Sequence, residues 1–484
     1  MGWHNAGVRI ATIGSPANRP GVWAVILILL SAGCVSISPI PTASPRATGV
    51  QPSATAPATS GPIQTAQPTN TPGAPPSPGS TATPGVPGTP GPSIDPALAQ
   101  QIDAVLAQVP AVRELEPLAD VPYEFISREQ FREDLIELQF EEVPEERLRA
   151  EERALKRLNL LPDDSDLLQL LVDLYGGQVA AFYRPDTKRF YIIERDEPFG
   201  PGDKIIVAHE YAHALQDQHF DLEDTRVKDL SEGDAALGQL GAIEGDATLT
   251  MQLWMLEHLT FQEQIEALLE AMGQLNDPTL ASMPPVLRRQ LEFPYAEGFS
   301  FIQELYNSGG FDAVNATLTD AVPASTEQIL HPEKYLANEL PVAWSLDDRT
   351  TVLGDGWTRT YEQTVGELIM QIWAAGGESP PETIPGLPVE WPHAETVAGW
   401  GYDRLHMYEH PDGRWAIVWR TQWDTLEDQA EYGQRAQALL GTLDGVAQIR
   451  PWPPSGDTAP MEELIVASEE ATLGEVALAF EWPT

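Results

Sequence analysis

The chain has 484 residues and carries 28 Lys+Arg against 72 Asp+Glu, a formal net charge of -44. This length allows two ordinary domains, and a hydrophobic content of 42% is enough for a buried core. So acidic a surface repels phosphate backbones, which argues against nucleic acid as a partner. The single cysteine, Cys34, excludes an intramolecular disulfide bond.

The first predicted element is a signal peptide at residues 1–33. Two arginines precede an apolar run at residues 22–30, and small residues follow it at 31–33. A basic region, a short apolar region and a small-residue cleavage site are the three parts of a secretion signal. The apolar run is too short to cross a bilayer, which takes about 20 residues.

The position of Cys34 makes this prediction more specific. The signal ends in Ser31-Ala32-Gly33-Cys34, which resembles a bacterial lipobox with Ser31 where leucine is usual. The resemblance implies that Cys34 is lipidated and becomes the mature N-terminus. The protein would then be secreted and anchored through lipid to a membrane of the bacterial cell envelope, facing outside the cytoplasm. The alternative is an ordinary signal peptide with an incidental cysteine.

Residues 34–94 are predicted to be a disordered linker. Pro, Thr, Ser, Gly and Ala dominate this segment, and no Asp or Glu occurs in the chain before Asp95. Such a composition cannot bury enough apolar surface to offset the conformational entropy of the chain. Extended polyproline rises about 3.1 Å per residue, so the linker could hold a folded domain well away from a membrane.

A folded domain is predicted at residues 95–340, mainly helical and with a small β element. Ser127 and Gln130 stand in capping-box spacing at the start of one helix. Two β-prone runs flank a turn that contains Pro185 and Asp186, which predicts a hairpin. The predicted helices are 97–107, 127–138, 144–160, 165–175 and a series between 203 and 335, and the predicted hairpin strands are 179–183 and 189–193.

The residue pattern of the sequence changes again after about residue 340. Residues 341–484 are predicted to form a smaller α+β region. Two β-prone runs, at 404–409 and 414–421, indicate a second hairpin. A capped helix is predicted to begin at Thr425. The chain as a whole is therefore predicted to be α+β.

The segment from His209 to His213 carries the clearest chemical signal. It reads His-Glu-Tyr-Ala-His, and apolar residues recur around it at helical spacing, which predicts a helix packed into a core. Positions four apart lie on one face of a helix, so both imidazoles can reach one metal ion. A catalytic zinc site uses three protein ligands and a water. Glu210 is the candidate general base for that water.

Glu244 is the candidate third ligand. It lies in a predicted helix at residues 231–256, on a stripe that is otherwise apolar. A buried carboxylate needs a partner, and a metal ion is one, although a salt-bridged glutamate is the structural alternative. Glycines at 238, 241 and 245 are predicted to let this helix approach the histidine-bearing helix closely.

The HExxH motif, followed downstream by Glu-Gly-Asp-Ala from Glu244, resembles the gluzincin branch of zinc metallopeptidases, which includes the thermolysin-like enzymes. The resemblance covers about residues 179–251. It implies a zincin-like fold, a Zn²⁺ ion held by His209, His213 and Glu244, and a polypeptide substrate. It also implies that Glu210 is the general base, and that the preceding hairpin supplies an edge strand for extended substrates.

One feature departs from that family. Glu244 lies 31 positions after His213, considerably farther than in the best-known gluzincins. Asp246 and Glu232 therefore remain alternative third ligands. Asp246 could instead hydrogen-bond a ligand histidine.

Peptide hydrolysis also requires a donor that stabilises the developing oxyanion. His331 is the leading candidate for this role, and Tyr295 is the next. An ordinary structural role is the alternative for either residue.

Together these observations lead to the hypothesis of a zinc-dependent endopeptidase that acts in the cell envelope or outside the cell. One alternative is a catalytically inactive zincin-like protein that serves as a tethered binding module. An intact Glu210 argues against it, because a pure metal-binding protein does not need a base. The other alternative is an envelope scaffold or solute-binding lipoprotein with an incidental HExxH.

Overall fold

The structure, a computed structural model, combines helices with two β-sheets, which confirms the predicted α+β class. The chain divides into two units, residues 35–95 and the remainder, and all of the described helices and strands belong to the remainder. The predicted linker and all of the predicted signal except 25–28 lie outside the described residues. The described residues are 25–28, 95–195, 198–275, 282–380, 388–452 and 459–481.

Helices form the larger part of the described chain. All four helices predicted before the first hairpin are present, with ends shifted by a few residues. No described helix is both long and apolar enough to cross a membrane. In chain order the helices are α1 (Pro96–Arg113), α2 (Arg128–Glu142), α3 (Glu145–Arg157), α4 (Leu167–Gln178), α5 (Pro201–Phe220), α6 (Leu222–Thr225), α7 (Gly233–His258), α8 (Phe261–Leu275), α9 (Pro285–Ala316), α10 (Thr326–Leu330), α11 (Pro332–Leu336), α12 (Thr350–Leu353), α13 (Gly366–Ala375), α14 (Leu426–Leu439) and α15 (Glu470–Ala479).

The first sheet contains the predicted hairpin. Its strands are β1 (Val25–Ile28), β2 (Tyr123–Ile126), β3 (Val179–Arg184) and β4 (Arg189–Ile193), in the order β1-β3-β4-β2. The hairpin of β3 and β4 is confirmed, and β2, which was not predicted, pairs parallel to β4. The strand β1 falls within the apolar run of the predicted signal and pairs antiparallel with β3.

The second sheet is antiparallel and has the strand order β5-β6-β7-β9-β8. The predicted hairpin appears as β6 and β7, and the predicted cap of α14 is formed by Thr425 and Asp428, which bond reciprocally. Three further strands were not predicted. The five strands are β5 (Thr358–Gln363), β6 (Trp400–Glu409), β7 (Trp415–Trp423), β8 (Val446–Trp452) and β9 (Met461–Ala467).

One hydrophobic core spans the predicted boundary between residues 340 and 341. Leu148 and Ala154 of α3 share it with Trp400 and Trp419 of the second sheet. Two further cores lie around α5 and between α7 and α9. The predicted division thus separates the two sheets but not the cores that support them.

Three helices, α5, α7 and α9, surround the candidate site. Pro201 opens α5, where its missing N–H costs no hydrogen bond, and Asp203 accepts from the Gly200 N–H at 2.7 Å. From Ile205 to Asp217 every residue of α5 is buried. The helix α7 packs against α5 and also against α9. The motif helix is therefore an interior element.

The glycines of α7 do not face α5. A Cβ atom at Gly238 would collide with the Ser325 carbonyl before α10, and one at Gly245 would collide with the Gly298 carbonyl of α9. Gly241 lies on the same face, against side chains of α9 and α10. The prediction that these glycines let α7 approach the histidine-bearing helix is therefore wrong. They allow close packing on the opposite side.

Candidate metal centre

The side chains of His209 and His213 on α5 converge with that of Glu244 on α7. The two Nε2 atoms lie 2.9 Å apart. Glu244 Oε2 lies 3.1 Å from His209 Nε2 and 3.4 Å from His213 Nε2. All three residues are buried, and Glu244 is only 1% exposed. The structure thus gathers the three residues that the sequence suggested as metal ligands.

This arrangement fits a tetrahedral metal ion. Two ligand atoms that each lie about 2.0–2.1 Å from a tetrahedral ion are about 3.3 Å apart. The three observed separations of 2.9, 3.1 and 3.4 Å bracket that value. Two histidines and one glutamate are also a ligand set that catalytic zinc uses, with a fourth position left for water. The residues present therefore fit a zinc ion.

Burial and the neighbouring charges shift the pKa values of this cluster in opposite directions. Burial lowers the pKa of His209 to about 4, which keeps its imidazole neutral. Burial alone would also lower the pKa of His213, but the Glu244 carboxylate raises it. Burial would raise the pKa of Glu244, but the two histidines lower it. The cluster therefore favours a carboxylate next to a positive charge, and a metal cation can supply that charge.

Glu210 is buried beside the cluster, on the histidine-bearing helix α5. Neither oxygen of its carboxylate has a hydrogen-bond partner of ordinary geometry among the described residues. Burial raises the pKa of Glu210 to about 8, and the nearby backbone N–H of Tyr183 offsets this only in part. An unpartnered carboxylate in the protein interior is costly, so its retention here points to a ligand that it contacts.

Hydrogen bonds join the hairpin of β3 and β4 to α5 near Glu210. The Tyr183 hydroxyl donates to Asp217 Oδ2 at 2.7 Å, and Lys188 Nζ donates to the same oxygen at 2.7 Å. Asp217 lies one helical turn beyond His213, so the hairpin and the motif helix are joined near the candidate site. Sequence reasoning placed the hairpin correctly but did not predict these contacts.

A network of buried polar side chains contacts His213 at Nδ1, the ring nitrogen that does not face Glu244. Gln216 Oε1 lies 2.9 Å from His213 Nδ1, and Gln216 Nε2 donates to Asp246 Oδ2 at 2.8 Å. Asp246 pairs with Arg113 at 2.8 Å, and both side chains are fully buried. Asp246 thus contacts His213 through Gln216 and does not hydrogen-bond to it directly. Sequence reasoning missed Gln216, although its position one turn after His213 was a usable signal.

The other proposed third ligand, Glu232, lies in a different environment. Glu232 Oε1 pairs with Arg404 at 2.9 Å, and its other carboxylate oxygen accepts from Thr364 at 3.1 Å. Of the three acidic candidates, the structure joins only Glu244 to both histidines.

The two candidate oxyanion donors differ in their surroundings. The ring of Tyr295, on α9, lies 6.1 Å from the ring of His209 between centroids. His331 lies between α10 and α11, and its Nε2 is 2.9 Å from Glu367 Oε1. Among the described residues, no hydrogen bond, ion pair or ring contact joins His331 to His209, His213 or Glu244. Of the two, Tyr295 is therefore the residue that the structure places beside the cluster.

A second acidic group occurs at Glu327, Glu339 and Asp424. The ammonium group of Lys334 lies among these three carboxylates, at 2.6, 3.0 and 2.7 Å respectively. The lysine supplies the positive charge that a metal would otherwise bring. Ion pairing with Lys334 therefore accounts for the clustering of these three carboxylates.

Comparisons with known proteins concern the second sheet. The model of a family described as a domain of unknown function, DUF8575, matches residues 352–477. This match covers strands β5 to β9 and excludes every member of the metal cluster. No curated protein and no solved structure matches the chain. The candidate metal centre therefore has to be interpreted from its own geometry.

Proposed function

We propose that the protein is a zinc-dependent endopeptidase with a zincin-like active site. One observation carries this proposal: the buried cluster of His209, His213 and Glu244 lies beside the unpartnered carboxylate of Glu210. Three ligands and an adjacent base are the parts that metal-assisted peptide hydrolysis requires. The resemblance to gluzincins in the two motifs supports the same conclusion.

In this proposal His209, His213 and Glu244 hold the ion. Bound there, zinc supplies a Lewis acid that polarises the scissile carbonyl and lowers the pKa of a water molecule. Glu210 takes a proton from the attacking water at a carboxylate oxygen and passes it to the departing amine nitrogen. Burial raises the pKa of Glu210, whereas a cation bound beside it would lower this pKa, so that the carboxylate would be ionised and able to accept the proton.

The strand β3 provides a way to orient a polypeptide substrate. It is fastened to α5 through Tyr183 and Asp217, and the Tyr183 N–H lies near Glu210. Removal of the predicted signal would also remove β1, and the outer edge of β3 would then be open to an extended peptide. Backbone hydrogen bonds to such an edge bind a chain with little dependence on its sequence.

The predicted location follows from the N-terminal sequence. Cleavage before Cys34 and lipidation of its thiol would anchor the protein to a membrane of the cell envelope, with the linker as a tether. Its substrates would then be polypeptides outside the cytoplasm. A net charge of -44 makes nucleic acid an unsuitable partner.

Metal analysis together with a peptidase assay tests this proposal. Protein purified without chelators is expected to contain one zinc per chain, and His213→Ala is expected to lose it. Glu210→Gln should retain zinc while its cleavage of an unfolded, fluorescently labelled protein falls by about 10²–10⁴-fold. Glu257→Gln, at an exposed position of α7, is the matched control and should change neither quantity.

Three results would count against the proposal in different ways. A folded protein that takes up no zinc even on reconstitution would eliminate the metal site. Zinc without cleavage would leave a tethered binding module as the better account. Full activity in Glu210→Gln would preserve the peptidase but remove Glu210 as its base.

A further inference from the structure

We propose that Gln216 is a positioning residue that fixes the tautomer of His213, so that the Nε2 lone pair of this imidazole faces the metal site. This inference rests on the proposed zinc site. It concerns a part of the chain that acts through a ligand and does not touch the ion.

The orientation of the Gln216 amide is determined by its partners. Its Nε2 lies 2.9 Å from the Ile243 carbonyl oxygen and 2.8 Å from Asp246 Oδ2. A backbone carbonyl can only accept, and Asp246 accepts two hydrogen bonds from Arg113, at 3.0 and 2.9 Å. Both neighbours therefore require the NH₂ group of the amide. The reversed amide would place its oxygen against two acceptors.

The amide oxygen must then face His213. Gln216 Oε1 lies 2.9 Å from His213 Nδ1, and an amide oxygen has no proton to give. Nδ1 is consequently the nitrogen that carries hydrogen. In a neutral imidazole the other nitrogen, Nε2, then presents its lone pair, and Nε2 is the atom that faces His209 and Glu244.

The residues that hold Gln216 in place lie far from the HExxH motif in the sequence. Arg113 closes α1, is fully buried, and also donates to Asn315 Oδ1 of α9 at 2.6 Å. Its guanidinium lies 4.4 Å from the centre of the Phe311 ring. Residues from α1, α5, α7 and α9 thus hold Gln216 in one orientation. A second conformer would leave buried polar groups without partners.

Only one of the two ligand histidines is fixed in this way. His209 Nδ1 has no hydrogen-bond partner among the described residues. The hydrogen bonds of the described residues therefore specify the tautomer of His213 but not that of His209. Loss of Gln216 should accordingly affect zinc binding through His213.

The test compares Gln216→Met with Gln239→Met in the full-length protein. Gln239 is also a buried glutamine, and its amide bonds the Thr225 carbonyl at 2.9 Å and the Val227 N–H at 3.0 Å. It has the same kind of structural role, but its amide does not hydrogen-bond to His213. Zinc affinity is measured by competition with a chelator. Protection of the His213 Nδ1–H against exchange is followed by NMR in the zinc-loaded protein.

We expect Gln216→Met to weaken zinc binding about 10–100-fold and to lose the protected Nδ1–H signal. Gln239→Met should lower thermal stability without either effect. Equal zinc affinity in the two variants would overturn the inference alone. No zinc in the wild-type protein would overturn both this inference and the proposed function. Selective loss of zinc in Gln216→Met, in a protein that cleaves no peptide, would uphold the inference and overturn the peptidase.

Discussion

Gly245 of α7 lies directly against the carbonyl group of Gly298 on α9. A Cβ atom at Gly245 would collide with that carbonyl and with the side chain of Ile302. A Cβ atom at Gly298 would in turn collide with the Gly241 carbonyl, so the two helices meet backbone to backbone. Glu244, the residue before Gly245, faces the two histidines. The position of one proposed metal ligand thus depends on a contact made on the other side of its helix.

We therefore predict that Gly245→Ala destabilises the protein by about 1–3 kcal/mol, because the added methyl group meets backbone that cannot move aside easily. It should also weaken zinc binding, because any shift of α7 carries Glu244 away from the histidines. Urea denaturation of the metal-free protein measures the first effect, and chelator competition measures the second.

The matched control is Gly474→Ala in α15. A Cβ atom at Gly474 would meet nothing within 4 Å, and alanine favours helix more than glycine. This variant should raise the free energy of unfolding by up to about 1 kcal/mol and leave zinc affinity unchanged. If Gly245→Ala were equally harmless, the contact with Gly298 would not constrain the site.

Tyr295 and His331 can be separated by experiment as oxyanion donors. Because the Tyr295 ring lies beside His209, Tyr295→Phe should lower kcat by about 10²–10³-fold while KM and zinc content stay close to wild type. His331 is bonded to Glu367, so His331→Ala should instead lower the free energy of unfolding by about 1 kcal/mol. Steady-state kinetics and urea denaturation of both variants provide the comparison. A fall in kcat confined to His331→Ala would instead identify His331 as the oxyanion donor.

The stability of the protein should depend on pH through Glu462 in β9, far along the chain from the proposed metal ligands. Burial raises the pKa of this carboxyl from 4.5 to about 7, and Oε2 has no hydrogen-bond partner among the described residues. Between those two values the folded protein binds more protons at this site than the unfolded chain does. The contribution of Glu462 therefore lowers stability as pH rises from about 4.5 to about 7, by up to about 3 kcal/mol.

The variant Glu462→Gln removes this titration. Relative to wild type it should gain stability at neutral pH and differ little at pH 4, as measured by urea denaturation at several pH values. Taking the difference removes the contribution of the many other acidic groups. The control Glu431→Gln, at an exposed position of α14, should follow wild type throughout. A constant difference between Glu462→Gln and wild type across this range would show that the carboxyl is not perturbed by burial.

The sequence alone determined the local features of this protein. The histidine-bearing helix, both hairpins and the cap of α14 follow from apolar spacing, β-prone runs and capping residues. These features depend on neighbours within a few positions, and the geometry between such neighbours is set by the backbone. For the same reason the pairing of His209 with His213 could be predicted from a spacing of four.

Only the tertiary structure decided which distant residues complete the site. Arg113 and Asp246 are 133 positions apart, and neither residue type signals the other. The glycines of α7 indicated a close approach, but not that α9 would be the helix approached. The face of a helix that meets a given neighbour depends on the packing of the whole core, which brings Glu244 to the histidines and leaves Glu232 with Arg404. That choice is made by the fit of many side chains at once, and no local pattern encodes it.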